Sequence, residues 1–187
     1  MTTKPFKPII FNKSRYSTSL LRKMIKLANF TVGCKGPVVF KITPGSRINV
    51  SGEAYKSSKF YMKRISKKFA NDKYLETTNG WISISPPRGV SENYLIQSAK
   101  QLFSTIVHEL KHVYDFQTDH IYNWDWDYKS STHKIRTRRQ NWSKRPQEIR
   151  AQQQEKDSLH LLNTNSKHKV AFENLIIDFS IELNENH

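Results

Sequence analysis

The stretch HELKHVYD, residues 108–115, sets two histidines four positions apart around a glutamate, inside a run whose apolar residues recur at a helical period. Phe103, Val107, Leu110 and Tyr114 fall on one stripe, joined by Ile106 and Val113, so the stretch reads as the late part of a helix spanning about Ser91 to Gln117. Ser91 is the expected N-cap, and Glu92 stands in the first turn, where a carboxylate favours the helix dipole. Positions i and i+4 of a helix share a face, so His108 and His112 can grip one metal ion. Glu109 is turned by one residue's rotation and stands beside such an ion rather than on it. The alternative is an amphipathic helix that merely carries histidines. With 7 histidines and 9 glutamates in 187 residues, chance places H-E-x-x-H in such a chain about one time in a hundred.

Working outward, GWISISPP (80–87) is the clearest strand, with Ile82 and Ile84 on one face and Ser83 and Ser85 on the other. Trp81 opens it on the serine side, and Pro86 and Pro87 end it. It precedes the motif helix, an arrangement in which an edge strand can hold an extended substrate. STSLLRKMIKLANF (17–30) predicts a basic amphipathic helix, and GPVVFKITPGSRINVSG (36–52) two strands separated by a turn at Pro44-Gly45. KFYMKRISKKFA (59–70) predicts a strand running into a short helix. Downstream, 118–144 is aromatic, polar and basic without period, and reads as a long loop or lid. Pro146 suits the first turn of a helix over about 146–162. A last helix is expected over 166–183, with Phe172, Leu175, Ile176, Phe179 and Leu183 inward. The expected fold class is α+β: one domain over 1–187, a short antiparallel or mixed sheet packed on the long helix. A basic helix-plus-strand part (1–90) is followed by a helical part (91–187).

Composition narrows the function classes. A chain of 187 residues with 36% apolar and 25% charged content can bury a core. Its single cysteine, Cys34, excludes a disulfide framework or a cysteine-based zinc module within one chain. Neither a signal-peptide core nor a membrane-length apolar run is present, so the expectation is a soluble, cytoplasmic protein with no membrane partner.

HELKH, followed by a helix that opens RPQEIRAQ, resembles the zincin metallopeptidases, in particular the gluzincin branch and its compact bacterial and phage members. The resemblance covers about residues 80–155; the first 80 residues match only as a helix followed by strands. It implies a zinc ion held by His108, His112 and Glu148, with Ala151 small enough to let the second helix approach the first. A thermolysin-type aspartate four residues after the third ligand is absent, because Gln152 stands there. The metzincin register is not met either, since it needs glycine at 115 and a ligand at 118, where this chain has Asp115 and Thr118. Asp119 and His120 are near but out of the metzincin register, His133 lies in the basic loop, and His160 is at the far end of the next helix. Asp115 suits either a ligand-orienting carboxylate or a partner for a basic residue. The implied reaction is endopeptidase hydrolysis of a protein or peptide substrate. Zinc would activate a water, Glu109 would serve as general base, and His133, Tyr128 or Tyr114 would steady the oxyanion.

The charge carries a second reading. Residues 1–73 contain 17 Lys/Arg against 2 Asp/Glu, whereas residues 74–187 are balanced at 14 each. A further basic run lies in 129–145, interrupted by Trp142 and preceded by Trp124 and Trp126. Basic stretches with interleaved aromatics suit nucleic acid or another polyanion. A basic nucleic-acid-binding protein with a degenerate or structural metal site is therefore the alternative function. If the basic block binds DNA, log affinity falls against log salt by about 0.9 per phosphate neutralised on duplex, or about 0.7 on a single strand. Reversing Lys63, Arg64, Lys67 and Lys68 should flatten that slope and leave metal content unchanged. A salt titration with heparin as a second polyanion checks it; no binding even at low salt would reduce the block to a solvated face.

Overall fold

The computed structural model describes residues 4–44, 50–55, 80–87, 90–118 and 146–185. Their order is β1 (Lys7–Asn12), α1 (Thr18–Val32), β2 (Pro37–Ile42), β3 (Ser51–Tyr55), β4 (Trp81–Ser85), one 3-10 turn (Glu92–Tyr94), α2 (Leu95–Gln117), α3 (Pro146–Thr164) and α4 (Ser166–Glu185). The fold is α+β with a small mixed sheet and a helical C-terminal part, as expected. The strand-to-helix expectation at 59–70 lies outside the described residues, as do Gly45 and the basic cluster at 63–68. So do the 119–145 stretch with His120, Tyr128 and His133, and the Leu183 side chain.

Helix α1 forms where its punctuation predicts. Ser17 accepts a hydrogen bond from the Leu20 N–H at 3.0 Å, satisfying one orphan donor of the first turn. Gly33 ends the helix at φ 89°, a left-handed conformation that favours glycine, and its N–H reaches the Asn29 carbonyl. Asn29 is buried and spans the turn beyond, accepting from Cys34 N–H at 2.9 Å and donating to the Cys34 carbonyl at 3.2 Å. Leu20, Leu21, Met24, Ile25 and Ala28 face the core, while Arg22, Lys23 and Lys26 face solvent.

The sheet order is β1-β2-β4-β3, with β1, β2 and β4 parallel and β3 antiparallel to β4. Two corrections follow. GWISIS is not an edge strand: β4 lies between β2 and β3, and Trp81, Ile82 and Ile84 are all buried, as an interior strand covered on both faces requires. Among the described residues, the edge beside α2 belongs instead to β3. The long helix begins at Leu95 rather than at Ser91. Ser91 caps the 3-10 turn ahead of it and makes no side-chain cap bond. Strand β1 was not anticipated; its KPIIFN offers only three consecutive apolar residues between a proline and an asparagine.

Helix α2 runs through the middle of the molecule, in contact with β3, β4, α1, α3 and α4. Leu102, Phe103, Ile106 and Leu110 are fully buried in one cluster with Phe40, Ile42, Ile82, Ile84, Phe172 and Phe179. The aromatic pair Phe103–Phe172 closes α4 onto α2, with ring centroids 4.8 Å apart. Two glycines allow the strands to approach α2. A Cβ on Gly80 would stand 2.6 Å from Val113 Cγ1, and one on Gly52 2.8 Å from Glu109 Cγ and from Thr105 Cγ2. Overpacking of this kind costs about 1–3 kcal/mol. Gly80→Ala is therefore expected to destabilise the protein by that amount in chemical denaturation. Adding Val113→Ala should recover part of the loss, so purely additive destabilisation by the two changes would disprove the contact.

Candidate metal centre

His108 and His112 project from the same face of α2, and Glu148 comes from the first turn of α3, which crosses that face. The three donor groups are all buried, and their ligating atoms lie within 4.8 Å of one another. Glu148 Oε2 is 3.1 Å from His108 Nε2, and Oε1 is 3.6 Å from His112 Nε2. The imidazole rings stand edge to face, with centroids 4.8 Å apart. Two imidazole nitrogens and a carboxylate converging on one buried point form a donor set that suits a divalent ion. The group could hold a metal ion, and its members are those expected from the sequence. Ala151 is fully buried, one turn beyond Glu148, as a close helix crossing requires.

Glu109 is also buried, at the side of the group beneath β3. Burial pushes its carboxyl up to about 7; the positive His108 opposes this, and the negative Glu148, Glu53 and Glu155 add to it. For His108, burial alone would disfavour the charged form. Hydrogen bonds to Glu148 and Glu155 outweigh it and raise the imidazole to about 9. Burial likewise works against ionisation of Glu148, but the hydrogen bonds from both histidines hold it down at about 2. The metal-free site is thus a protonated histidine closed onto a carboxylate.

Glu155 was missed by the sequence reading. It lies seven residues after Glu148, two turns along the same stripe of α3, and its Oε1 is 2.8 Å from His108 Nδ1. The spacing is a helical signal, but it becomes visible only once the crossing of α2 and α3 is known. Gln152 is exposed, and so is His160. Asp115 takes the basic-partner role: its Oδ2 accepts from Arg150 Nε and Nη2 at 3.1 and 2.9 Å. Lys111 Nζ stands 2.9 Å from Oδ1 as an ion pair, off the line of a hydrogen bond. Tyr114 belongs to the packing beside Gly33, with Lys111 Nζ over its ring. Cys34 is buried with its thiol against the Leu110 carbonyl, and burial pushes it up to about 12, so it supplies no thiolate. Among the described residues, no helix is long and apolar enough to cross a membrane.

No protein-family model, curated protein or solved structure matches the chain, so the reading of this site rests on its geometry.

The proton on His108 gives the site a pH signature. Its raised value contributes stability that is full below the ordinary 6.5 and is lost as pH rises through about 9. Glu109 acts in the same direction between 4.5 and about 7. The depressed Glu148 contributes stability that is full above 4.5 and is lost as pH falls through about 2. Metal-free protein should therefore become less stable between pH 6.5 and 9. Metal-loaded protein should gain relative to it over the same range, because a ligand imidazole must be neutral. Thermal melts with and without one equivalent of zinc check the signs. Calorimetry near pH 7 in two buffers of different ionisation enthalpy should show about one proton released on binding.

Proposed function

We propose that the protein is a zinc-dependent endopeptidase with a gluzincin-like centre, in which His108, His112 and Glu148 hold the metal and Glu109 is the general base. The observation that carries the reading is the convergence of these three donors, from two helices, with a separate buried carboxylate beside them. Zinc suits a His-His-Glu set with an open position, and when bound it supplies the Lewis acidity that polarises an amide carbonyl and acidifies water.

The chain's own residues would do the rest. Glu109, with a carboxyl held near neutrality, can accept a proton from the attacking water and return it to the leaving amine. Gly52 supports a peptide substrate. Its missing side chain lets β3 lie directly over Glu109, and β3 forms one edge of the described sheet. An extended peptide adding to that edge would run past the general base with its backbone hydrogen-bonded. The oxyanion also needs a donor; the sequence offers His133, outside the described residues.

A polyanion-binding role is the second reading. Lys4, Lys7, Arg22, Lys23 and Lys26 are exposed, and Glu53 is the first acidic residue in the chain. Such a surface is compatible with a peptidase recruited to nucleoprotein.

Glu109→Gln removes the proton acceptor at nearly constant shape. It should keep the fold and one equivalent of metal, and lower peptide hydrolysis by about 10²–10⁴. Metal content by emission spectroscopy and turnover of a peptide library check it. Hydrolysis at the wild-type rate would dismiss Glu109 as the base. A wild-type protein without metal would remove the peptidase reading altogether.

A further inference from the structure

We infer that Glu155 is a positioning residue for the metal site: it fixes the tautomer and ring angle of His108, doing from two turns along α3 what no side chain at position 152 does. The inference rests on the metal-site reading above and goes one layer beyond it. An imidazole that offers Nε2 to an ion must carry its proton on Nδ1, and an acceptor at Nδ1 both selects that tautomer and strengthens the ligand. Here Nε2 points at Glu148, in the metal group, and Nδ1 lies 2.8 Å from Glu155 Oε1. The ring is therefore held from opposite sides by carboxylates of the same helix.

The geometry explains why the residue is at 155. Glu148, Ala151 and Glu155 are spaced i, i+3 and i+7, so they share the stripe of α3 that faces α2. Ala151 is fully buried at the crossing, and its small side chain leaves the two carboxylates on either side of it with one histidine between them. Gln152 has turned to solvent, so it reaches neither ring. Glu155 itself is partly exposed, with 28% of its side chain accessible. It can be replaced without opening a cavity in the core, and its carboxylate is not needed to bury apolar surface.

The test uses the full chain and cobalt(II) or zinc with a competing chromophoric chelator. Glu155→Gln and Glu155→Ala should each weaken metal binding about 10–100-fold, with Gln, which still accepts a hydrogen bond, the milder of the two. Gln152→Ala should bind as the wild type. Thermal melts of the metal-free proteins report any merely structural loss, which would not order Gln between wild type and Ala in affinity. The visible spectrum of the cobalt form should also shift in Glu155→Ala, because the ring is released to rotate. Nitrogen NMR of the zinc-loaded wild type should show His108 protonated at Nδ1. Wild-type affinity and an unchanged cobalt spectrum in Glu155→Ala would overturn the positioning role while leaving the metal centre intact. Absence of metal binding by the wild-type chain would overturn both, and the two failures are therefore distinguishable.

Discussion

Glu148 lies between two histidines of another helix, and the rest of the structure has to make that tolerable. Ionisable groups are costly to bury unless each finds a partner. Within about one helical turn of this crossing, α2 buries His108, Glu109, His112 and Asp115, and α3 brings Gln147 and Glu148. Pairing is what stabilises the arrangement. Glu148 answers both histidines, Glu155 answers the far side of His108, and Arg150 with Lys111 answers Asp115. The α2–α3 contact is thus a polar interface in the interior. The opposite side of α2 carries the apolar cluster shared with α1, α4 and the sheet, with Thr105 and Glu109 as its polar members beneath β3.

This division accounts for how much could be read from the sequence. Helix α1 was legible because its apolar stripe and its end signals, Ser17 and Gly33, agree; the motif helix and α4 were legible from their stripes, and α3 from Pro146 at its start. His108, Glu109 and His112 were legible because i, i+1 and i+4 spacing fixes their relation within one helix. Glu148 needed a resemblance as well, because nothing local says where a second helix crosses the first. Glu155 escaped for the same reason. Its relation to His108 spans 47 residues and depends on the crossing, and the position considered in its place, Gln152, points to solvent. Of the sheet, β2 and β4 were legible and β3 only in part, β1 was not, and the strand order was not. Buried Trp81 beside Ile82 signals an interior strand, yet the partners of β4 come from chain segments far away in sequence.

The two glycines show the constraint acting on the backbone. Glu109 can be beside a metal group and still be buried only if something covers it without displacing it. β3 covers it at Gly52, where a side chain would collide with the carboxylate itself. Burial by a strand rather than by solvent is what pushes the Glu109 carboxyl toward neutrality. Immediately before the neighbouring strand β4, Gly80 allows the same close approach at Val113, the residue after His112. The sheet is therefore held close along the same stretch of α2 that carries the motif.

The ties across α2 and α3 are not equivalent, and the difference follows from which partner can retreat to water. Asp115 has 3% of its side chain exposed and Arg150 has 31%. Without Asp115, the guanidinium can turn outward and be hydrated. Without Arg150, the carboxylate stays buried with only Lys111 beside it, the costlier state for an interior charge. The histidine group differs again. An imidazole that loses Glu148 can shed its proton and become a neutral polar group, whereas Glu148 without the histidines keeps a buried carboxyl with nothing to hold its charge. A divalent cation entering the group would displace the His108 proton, so the site would gain one positive charge rather than two. The Asp115–Arg150 tie joins α2 to the helix carrying Glu148 two residues from that carboxylate.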